Sequence, residues 1–293
     1  MAMDRIIKGI GGFYYVKTSE GVFECKARGA FRRKKLKPYV GDYVRITIRD
    51  NGENTIDEIL ERKNELIRPP VSNIDNLIIV SSMVTPAPNP LVIDKLSAVC
   101  EMKHIEPIMV FNKTDVLDGS ELCRVYRHAG FTSFCTSAKT GEGMEQLKSI
   151  LKSKTSVFTG NSGAGKSSIL NALSPALHLE TGEVSEKLGR GRHTTRSCEI
   201  YELFGGQVVD TPGFSSLEIG RLETIMKEDL PFCFREFRDY VHACRFSSCS
   251  HTKEQGCAVL KAVEEGKIER SRFESYLQLY EEIKDIKPWQ VNK

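Results

Sequence analysis

No apolar run in this 293-residue chain reaches the ~20 residues that a membrane-spanning helix needs, so a helical membrane protein is excluded. The opening Met1-Ala2-Met3-Asp4-Arg5 has no apolar core of the secretory type, and a cytoplasmic protein is expected. Net charge is also scarce: 42 Lys and Arg against 39 Asp and Glu leave +3, so nothing global demands a polyanionic partner. A disulfide framework is missing, because the nine cysteines are odd in number and six of them stand singly, as suits a reducing compartment. No internal repeat or low-complexity tract is present, which excludes repeat arrays. What is there is ordinary for a soluble globular protein, 40% hydrophobic and 28% charged. At roughly 100–200 residues per domain the length allows two or three domains.

The chain up to about Arg68 reads as short strands. Gly12 to Val16, Gly21 to Arg28 and Asp42 to Ile48 are rich in aromatic and β-branched residues, with turn punctuation such as Asp50-Asn51-Gly52 between them. A small antiparallel β-barrel is the natural closure, with the OB-fold as leading candidate. Tyr14, Phe23 and Tyr43 either stack on bases or fill the barrel core. The basic run Lys26, Arg28, Arg32, Arg33, Lys34, Lys35 and Lys37 is either a solvated hairpin or a contact to RNA phosphates. In the second reading Arg32, Arg33, Lys34, Lys35 and Lys37 are the candidate contacts.

Pro69-Pro70 interrupts this pattern and marks a linker. Beyond it, strand-like runs at 76–80, 107–111, 132–136, 156–159 and 207–209 alternate with helical segments, which predicts an α/β domain with a parallel sheet. From roughly Gly220 the chain is helical with one cysteine-rich interruption, and Leu277, Leu279, Tyr280 and Ile283 give the last helix an apolar set.

The motifs close the predicted strands, where open α/β sheets bind ligands. Gly160-Asn161-Ser162-Gly163-Ala164-Gly165-Lys166-Ser167, followed by Ser168, is a phosphate loop between a strand and a helix. Its glycines let backbone N–H groups converge on phosphates, Lys166 reaches the β/γ-phosphates, and the Ser167 hydroxyl holds Mg²⁺. Asp210-Thr211-Pro212-Gly213 reads as a switch, with Asp210 on Mg²⁺ through water and the Gly213 N–H at the γ-phosphate. Asn112-Lys113-Thr114-Asp115 and Ser137-Ala138-Lys139 complete the set. A carboxylate at Asp115 accepts two hydrogen bonds from guanine N1–H and N2–H₂, a pair adenine lacks, so GTP is favoured over ATP. Asn112 orients that loop, Lys113 covers the base, and Ser137 and Ala138 offer backbone N–H to guanine O6. These base-reading motifs precede the phosphate loop, the reverse of an ordinary GTPase, so the domain is circularly permuted.

The segment Gly189 to Arg196 predicts a mobile loop. Thr195, or else Thr194, supplies a hydroxyl to Mg²⁺ there, or these threonines cap a strand. Phe214 occupies the place where many GTPases carry a water-orienting glutamine, and an apolar side chain cannot replace it. His193 is the local candidate for the catalytic role, against the plain alternative of a solvated histidine. Arg190, Arg192 and Arg196 stabilise transition-state charge, contact RNA, or do neither.

Cys244, Cys249, His251 and Cys257 form a Cys-x₄-Cys-x-His-x₅-Cys set, three thiolates and an imidazole suited to one structural Zn²⁺. His242 is a weaker alternative ligand. With no open position, the metal is not expected to be catalytic.

Motif order and residues together resemble the bacterial ribosome small-subunit-dependent GTPase A family, the circularly permuted YjeQ/YloQ GTPases. The resemblance covers nearly the whole chain, and its motifs are Asn112 to Asp115, Thr136-Ser137-Ala138, Gly160 to Ser168, Gly191-Arg192-His193-Thr194-Thr195, Asp210 to Phe214 and the run from Cys244 to Cys257. It implies an OB-fold barrel over 1–68, a permuted GTPase over 69–220 and a zinc-binding helical domain over 221–293. It further implies a GTP hydrolase, carrying Mg²⁺ with GTP or GDP, that docks on the 30S subunit and its rRNA during late maturation. The subunit stimulates hydrolysis, His193 is the proposed catalytic residue, and a monomer is expected. Gln255 and Arg196 depart from the residues common in the family, proline and a third threonine. Gly163 stands where permuted GTPases of the large subunit usually carry asparagine. A rival is an RNA-binding module with a static nucleotide, which Phe214 motivates.

Overall fold

The structure, a computed structural model, describes residues 4–29, 31, 36–49, 53–177, 198–210 and 225–287. Its strands there are β1 (Arg5–Ile10), β2 (Phe13–Lys17), β3 (Val22–Ala27), β4 (Val44–Thr47), β5 (Asn54–Ile59), β6 (Glu65–Leu66), β7 (Val71–Ser72), β8 (Asn76–Ser82), β9 (Glu106–Asn112), β10 (Thr132–Thr136), β11 (Thr155–Thr159), β12 (Glu199–Leu203) and β13 (Gly206–Asp210). The helices are α1 (Pro90–Lys103), α2 (Ser120–His128), α3 (Met144–Leu151), α4 (Lys166–Leu173), α5 (Ala258–Glu264) and α6 (Arg270–Ile283). Two compact units result. One holds Met1–Asn76, Leu147–Phe158 and Gly182–Phe214, the other Leu77–Gln146, Thr159–Thr181 and Ser215–Lys293. No described helix is long and apolar enough to cross a membrane.

In the first unit, neighbouring strands run β1-β2-β3-β5-β4, with β3 and β5 parallel and the other pairs antiparallel. The ends meet: Arg5 bridges Tyr43, the Ile6 N–H donates to Asp42 O at 2.9 Å, and the Val44 N–H donates to Asp4 O at 2.9 Å. That closure makes a five-stranded Greek-key barrel of the OB type. Ile6, Val16, Cys25, Val44 and Ile56 fill it. Tyr14, Phe23 and Tyr43 are half-buried, so each lends part of its ring to packing, whereas Ile10, Phe13 and Val22 are exposed. Of the basic run, Lys26 pairs with Glu53 at 3.0 Å and Arg28 with Asp57 at 2.9 Å. Lys37 is exposed, and Arg32, Arg33, Lys34 and Lys35 lie outside the described residues. Pro69-Pro70 closes the four-residue turn 67–70 of the β6–β7 hairpin rather than forming an open linker.

The barrel sheet continues within the same unit. β1 pairs antiparallel with β12 at Lys8 and Glu199, β12 with β13, and β13 runs parallel to β11. β11 leads into the phosphate loop, and β13 ends on Asp210.

In the second unit the strand order is β10-β9-β8, with β9 and β10 parallel and Asn112 level with Thr136. Asn89 caps α1 by accepting the Val92 N–H, and Pro90 occupies its first turn, where a missing N–H does no harm. The carboxyl-terminal region packs on α1 through α6 and the turn at 230–233, and within it Phe234, Phe237, Phe273 and Tyr276 form an aromatic cluster, with Phe234 edge-on to Tyr276 at 5.3 Å between centroids. Arg272 is at the centre and 1% exposed. It donates to Asp94 of α1 at 2.5 Å and to Glu236 at 2.7 Å, and it lies 4.7 Å from the Phe234 ring centroid. Burial alone would lower the guanidinium pKa, but Asp94 and Glu236 outweigh it and raise the value, so Arg272 stays charged. Around it, Arg235 pairs with Glu101 and Glu106 at 2.6 Å each, and Glu269 takes Arg124 and His128 at 2.6 Å each. The pairs of Glu106, Arg124 and His128 are partly exposed and contribute little individually, whereas the Glu101 carboxylate is nearly buried.

Breaking the central pair is different, because two buried carboxylates lose their counter-charge. Arg272→Met is expected to lower unfolding stability by about 3–5 kcal/mol in urea denaturation. Adding Asp94→Leu and Glu236→Gln is expected to recover much of that loss. No recovery would mean the site depends on packing rather than charge.

Candidate functional site

Parallel β9 and β10 deliver the Asn112–Asp115 and Ser137–Lys139 loops to one edge of the sheet, and the Gly160–Ser167 loop meets them there. Asn112, 2% exposed, is the meeting point. Its Nδ2 donates to Ala164 O of the phosphate loop at 3.0 Å. Its Oδ1 accepts the Thr136 hydroxyl at 3.3 Å and the Ala138 N–H at 3.4 Å. One amide thus spans all three motifs. The phosphate loop must leave room for it: a Cβ on Gly165 would sit 2.2 Å from Asn112 Nδ2, and its φ of +95° is one that side chains resist. Gly160 is similarly obligatory, since its Cβ would meet Val80 O at 2.2 Å.

Asp115 is oriented by the Ser137 hydroxyl, which donates to Oδ1 at 2.8 Å, with Lys139 Nζ 4.0 Å from Oδ2. The Ser137 N–H donates to Glu142 O at 3.1 Å, and the Ser137 hydroxyl accepts the Thr140 N–H at 3.2 Å. Lys113 has φ of 68° and donates to Thr85 O at 2.9 Å. In the phosphate loop, Lys166 Nζ donates to Gly160 O at 2.6 Å and Asn161 O at 3.1 Å. Helix α4 begins there, so its free N–H groups and positive dipole end face the loop, as an anion site requires. Ser162 and Gly163 are exposed, and Ser167 and Ser168 are half-buried in the first turn of α4.

Sequence reasoning passed over Thr85 and Glu142. The Glu142 carboxylate accepts the Thr114 hydroxyl at 3.0 Å, clasping one base-reading loop to the other. The only signal was its place between Gly141 and Gly143. Asp210 ends β13 with its backbone level with Glu199. Thr194, Thr195, His193, Arg190, Arg192, Arg196, Gly213 and Phe214 lie outside the described residues.

The cysteine-rich loop brings one ligand atom each from Cys244, Cys249, His251 and Cys257 within 4.8 Å of one another. Cys244 Sγ lies 3.8 Å from Cys257 Sγ, and His251 Nδ1 lies 3.4 Å and 3.5 Å from those two sulfurs. The set is suited to a metal ion. Burial lowers the His251 pKa and favours the neutral imidazole that ligates, although Glu254 opposes this. Burial also pushes the Cys249 thiol up to about 12, so thiolates here need a cation beside them. The loop is braced: Glu254 accepts the N–H groups of Ser250 at 2.7 Å and Thr252 at 3.0 Å, and the Tyr276 hydroxyl of α6 donates to Ser250 O at 2.7 Å. His242 is not among the four ligands; it stands with its ring 5.8 Å from that of Phe232.

Two family models match: the RsgA GTPase over residues 59–220 and the RsgA N-terminal domain over residues 5–56. The chain belongs to the RsgA GTPase family. The small ribosomal subunit biogenesis GTPase RsgA of Caldanaerobacter subterraneus subsp. tengcongensis is 51% identical over 285 residues, 96% of this chain and 95% of the relative. That of Geobacillus thermodenitrificans is 45% identical over 294 residues, 98% and 99% of the two chains. The crystal structure of YjeQ from Thermotoga maritima superposes with a TM-score of 0.79 at 38% identity, covering 97% of this chain and 99% of that one. YloQ, described as a circularly permuted GTPase, gives 0.77 at 36% identity, covering 98% and 96%. The permuted order of motifs is therefore a property of the RsgA fold, and the protein is a GTPase.

Because Gly165 makes room for Asn112, Gly165→Ala is expected to weaken GDP binding at least about tenfold, the equivalent of ~1.4 kcal/mol. Titration with a fluorescent GDP measures it, and an unchanged Kd would show that the amide bridge does not shape the phosphate loop.

Proposed function

We propose that the protein hydrolyses GTP while bound to the small (30S) ribosomal subunit and its rRNA, acting late in that subunit's maturation, with turnover stimulated by the subunit. The observation that carries this reading is the Asn112 bridge, which joins the base-reading loops to the phosphate loop in permuted order. A barrel precedes that core and a metal loop follows it. The relatives' names, which specify small-subunit biogenesis, support the choice of partner. In this reading 1–68 is the barrel domain, 69–220 the GTPase and 221–293 the metal-binding domain, and the protein works as a cytoplasmic monomer.

Asp115 would read guanine, Lys113 cover it, and the weakly held Ala138 N–H face O6. The phosphate loop with Lys166 would hold the phosphates, and Ser167, Thr195 and, through water, Asp210 would hold Mg²⁺. Gly213 would contact the γ-phosphate. His193 would position the attacking water, a task that Phe214 cannot perform. Arg32, Arg33, Lys34, Lys35 and Lys37 would meet rRNA phosphates.

GTP turnover with purified 30S subunits is expected to exceed turnover without them, and His193→Ala is expected to remove most of the gain while leaving nucleotide affinity near normal. Equal rates with and without subunits would favour an RNA-binding module with a static nucleotide.

The metal is proposed to be zinc. A tetrahedron with ~2.3 Å zinc–sulfur and ~2.0–2.1 Å zinc–nitrogen arms has edges of about 3.8 Å and about 3.5 Å. The spacings of Cys244, Cys257 and His251 match those edges. Elemental analysis is expected to find one zinc per chain, and Cys249→Ser to lose it together with a drop in melting temperature. A full complement of zinc in that variant would remove Cys249 from the ligand set.

A further inference from the structure

Arg5 is a cation that nucleotide chemistry does not use, yet it is 7% exposed. From β1 its Nε donates to Gly41 O at 3.1 Å and its Nη2 to Asn73 O at 3.4 Å, while the guanidinium lies 5.0 Å from the centroid of the Tyr43 ring. Gly41 and Tyr43 belong to the barrel, and Asn73 directly follows the β6–β7 hairpin. Nη1 reaches the other way, to Thr155 Oγ1 at 3.2 Å and to Gln207 Oε1. Thr155 opens β11, Gln207 lies in β13, and the two are level in the parallel ladder. Their side chains also join each other at 3.2 Å.

The four acceptors of Arg5 are neutral: two carbonyls, a hydroxyl and an amide. Burial lowers its pKa, and Tyr43, Asp75 and Asp42 offset this only through space. A buried charge held by neutral groups depends on each of them staying in place, because a lost acceptor strands the charge away from water. Lys8 and Glu199, paired at 2.8 Å between β1 and β12, extend the same joint along the strand.

β11 runs directly into Gly160, and β13 ends on Asp210. Both strands therefore carry a nucleotide motif at one end and an acceptor for Arg5 near the other. We propose that Arg5 is a positioning residue that couples the nucleotide state of the phosphate loop to the barrel, by holding β1 to the strands that present the phosphate-sensing groups. This rests on the GTPase reading and not on the choice of ribosomal partner. Displacement of β11 against β13 shifts the two acceptors, and β1 follows with Tyr43 and the 41–43 turn.

The test is amide hydrogen exchange on the full-length protein, loaded with GDP or with a non-hydrolysable GTP analogue. In the wild type, protection of β1 and residues 41–44 is expected to differ between the two nucleotides. Thr155→Val combined with Gln207→Leu keeps the contacts to Gly41, Tyr43 and Asn73 and is expected to abolish that difference while the nucleotide-dependent change at 160–167 persists. Gln207→Glu, which supplies Arg5 with a charged acceptor, is expected to retain it. Identical β1 protection in both wild-type states, or a difference that survives the double substitution, would overturn the coupling. Absence of any nucleotide effect at 160–167 would instead overturn the GTPase reading beneath it.

Discussion

A buried primary amide has no water to turn to, so its donors and acceptor must all be answered by the protein. Asn112 answers by reaching into the phosphate loop with one N–H of its nitrogen and into the Thr136–Ala138 turn with its oxygen. Much of the site follows from this. Gly165 can carry no side chain, β9 and β10 must end level, and Ser137 is brought to where its hydroxyl can hold Asp115. The permuted connectivity leaves the arrangement intact because the bridge joins loops in space and is indifferent to which comes first along the chain.

The nucleotide and metal motifs were legible because their chemistry requires particular residue types at fixed spacing, and β8 and β9 because buried strands are continuous apolar runs. β1, β5 and β12 escaped notice for the opposite reason. Sequences such as Asn54-Thr55-Ile56-Asp57-Glu58-Ile59 give one face to solvent, and their charges dilute the strand signal. Arg272 and Arg5 were illegible in principle. A charged residue is read as solvated by default, and only the tertiary fold reveals that Asp94 and Glu236, or Thr155 and Gln207, await it. The last helix was legible in part: Leu279 is buried and Leu277, Tyr280 and Ile283 are half-buried, while its buried stripe also holds Arg272, Phe273, Ser275 and Tyr276.

A carboxyl-terminal region that follows the Asp210-Thr211-Pro212-Gly213 motif invites the view that it moves as a separate piece. The buried Arg272 cluster argues for a different division of labour. α6 holds Asp94 of α1 at one point and Ser250 of the metal loop at another, one turn apart, through Arg272 and Tyr276. The metal loop is thus fastened to the helix that packs beside β9, in the same unit as the base-reading loops. Any reorientation of the metal loop has to carry α1 along or expose an ion pair.

The pairing of β1 with β12 bears on how the protein is made. Some 190 residues separate Lys8 from Glu199 in sequence, so the free edge of β1 leaves the ribosome long before its partner strand exists. An unpaired edge is a template for aggregation, and β1 bears two ordinary defences, a charged Lys8 and an irregularity between Ile6 and Lys8 that breaks its regular ladder. The lysine that keeps this free edge polar is the one that pairs with Glu199 at 2.8 Å in the folded protein, so one side chain serves the strand before and after its partner arrives.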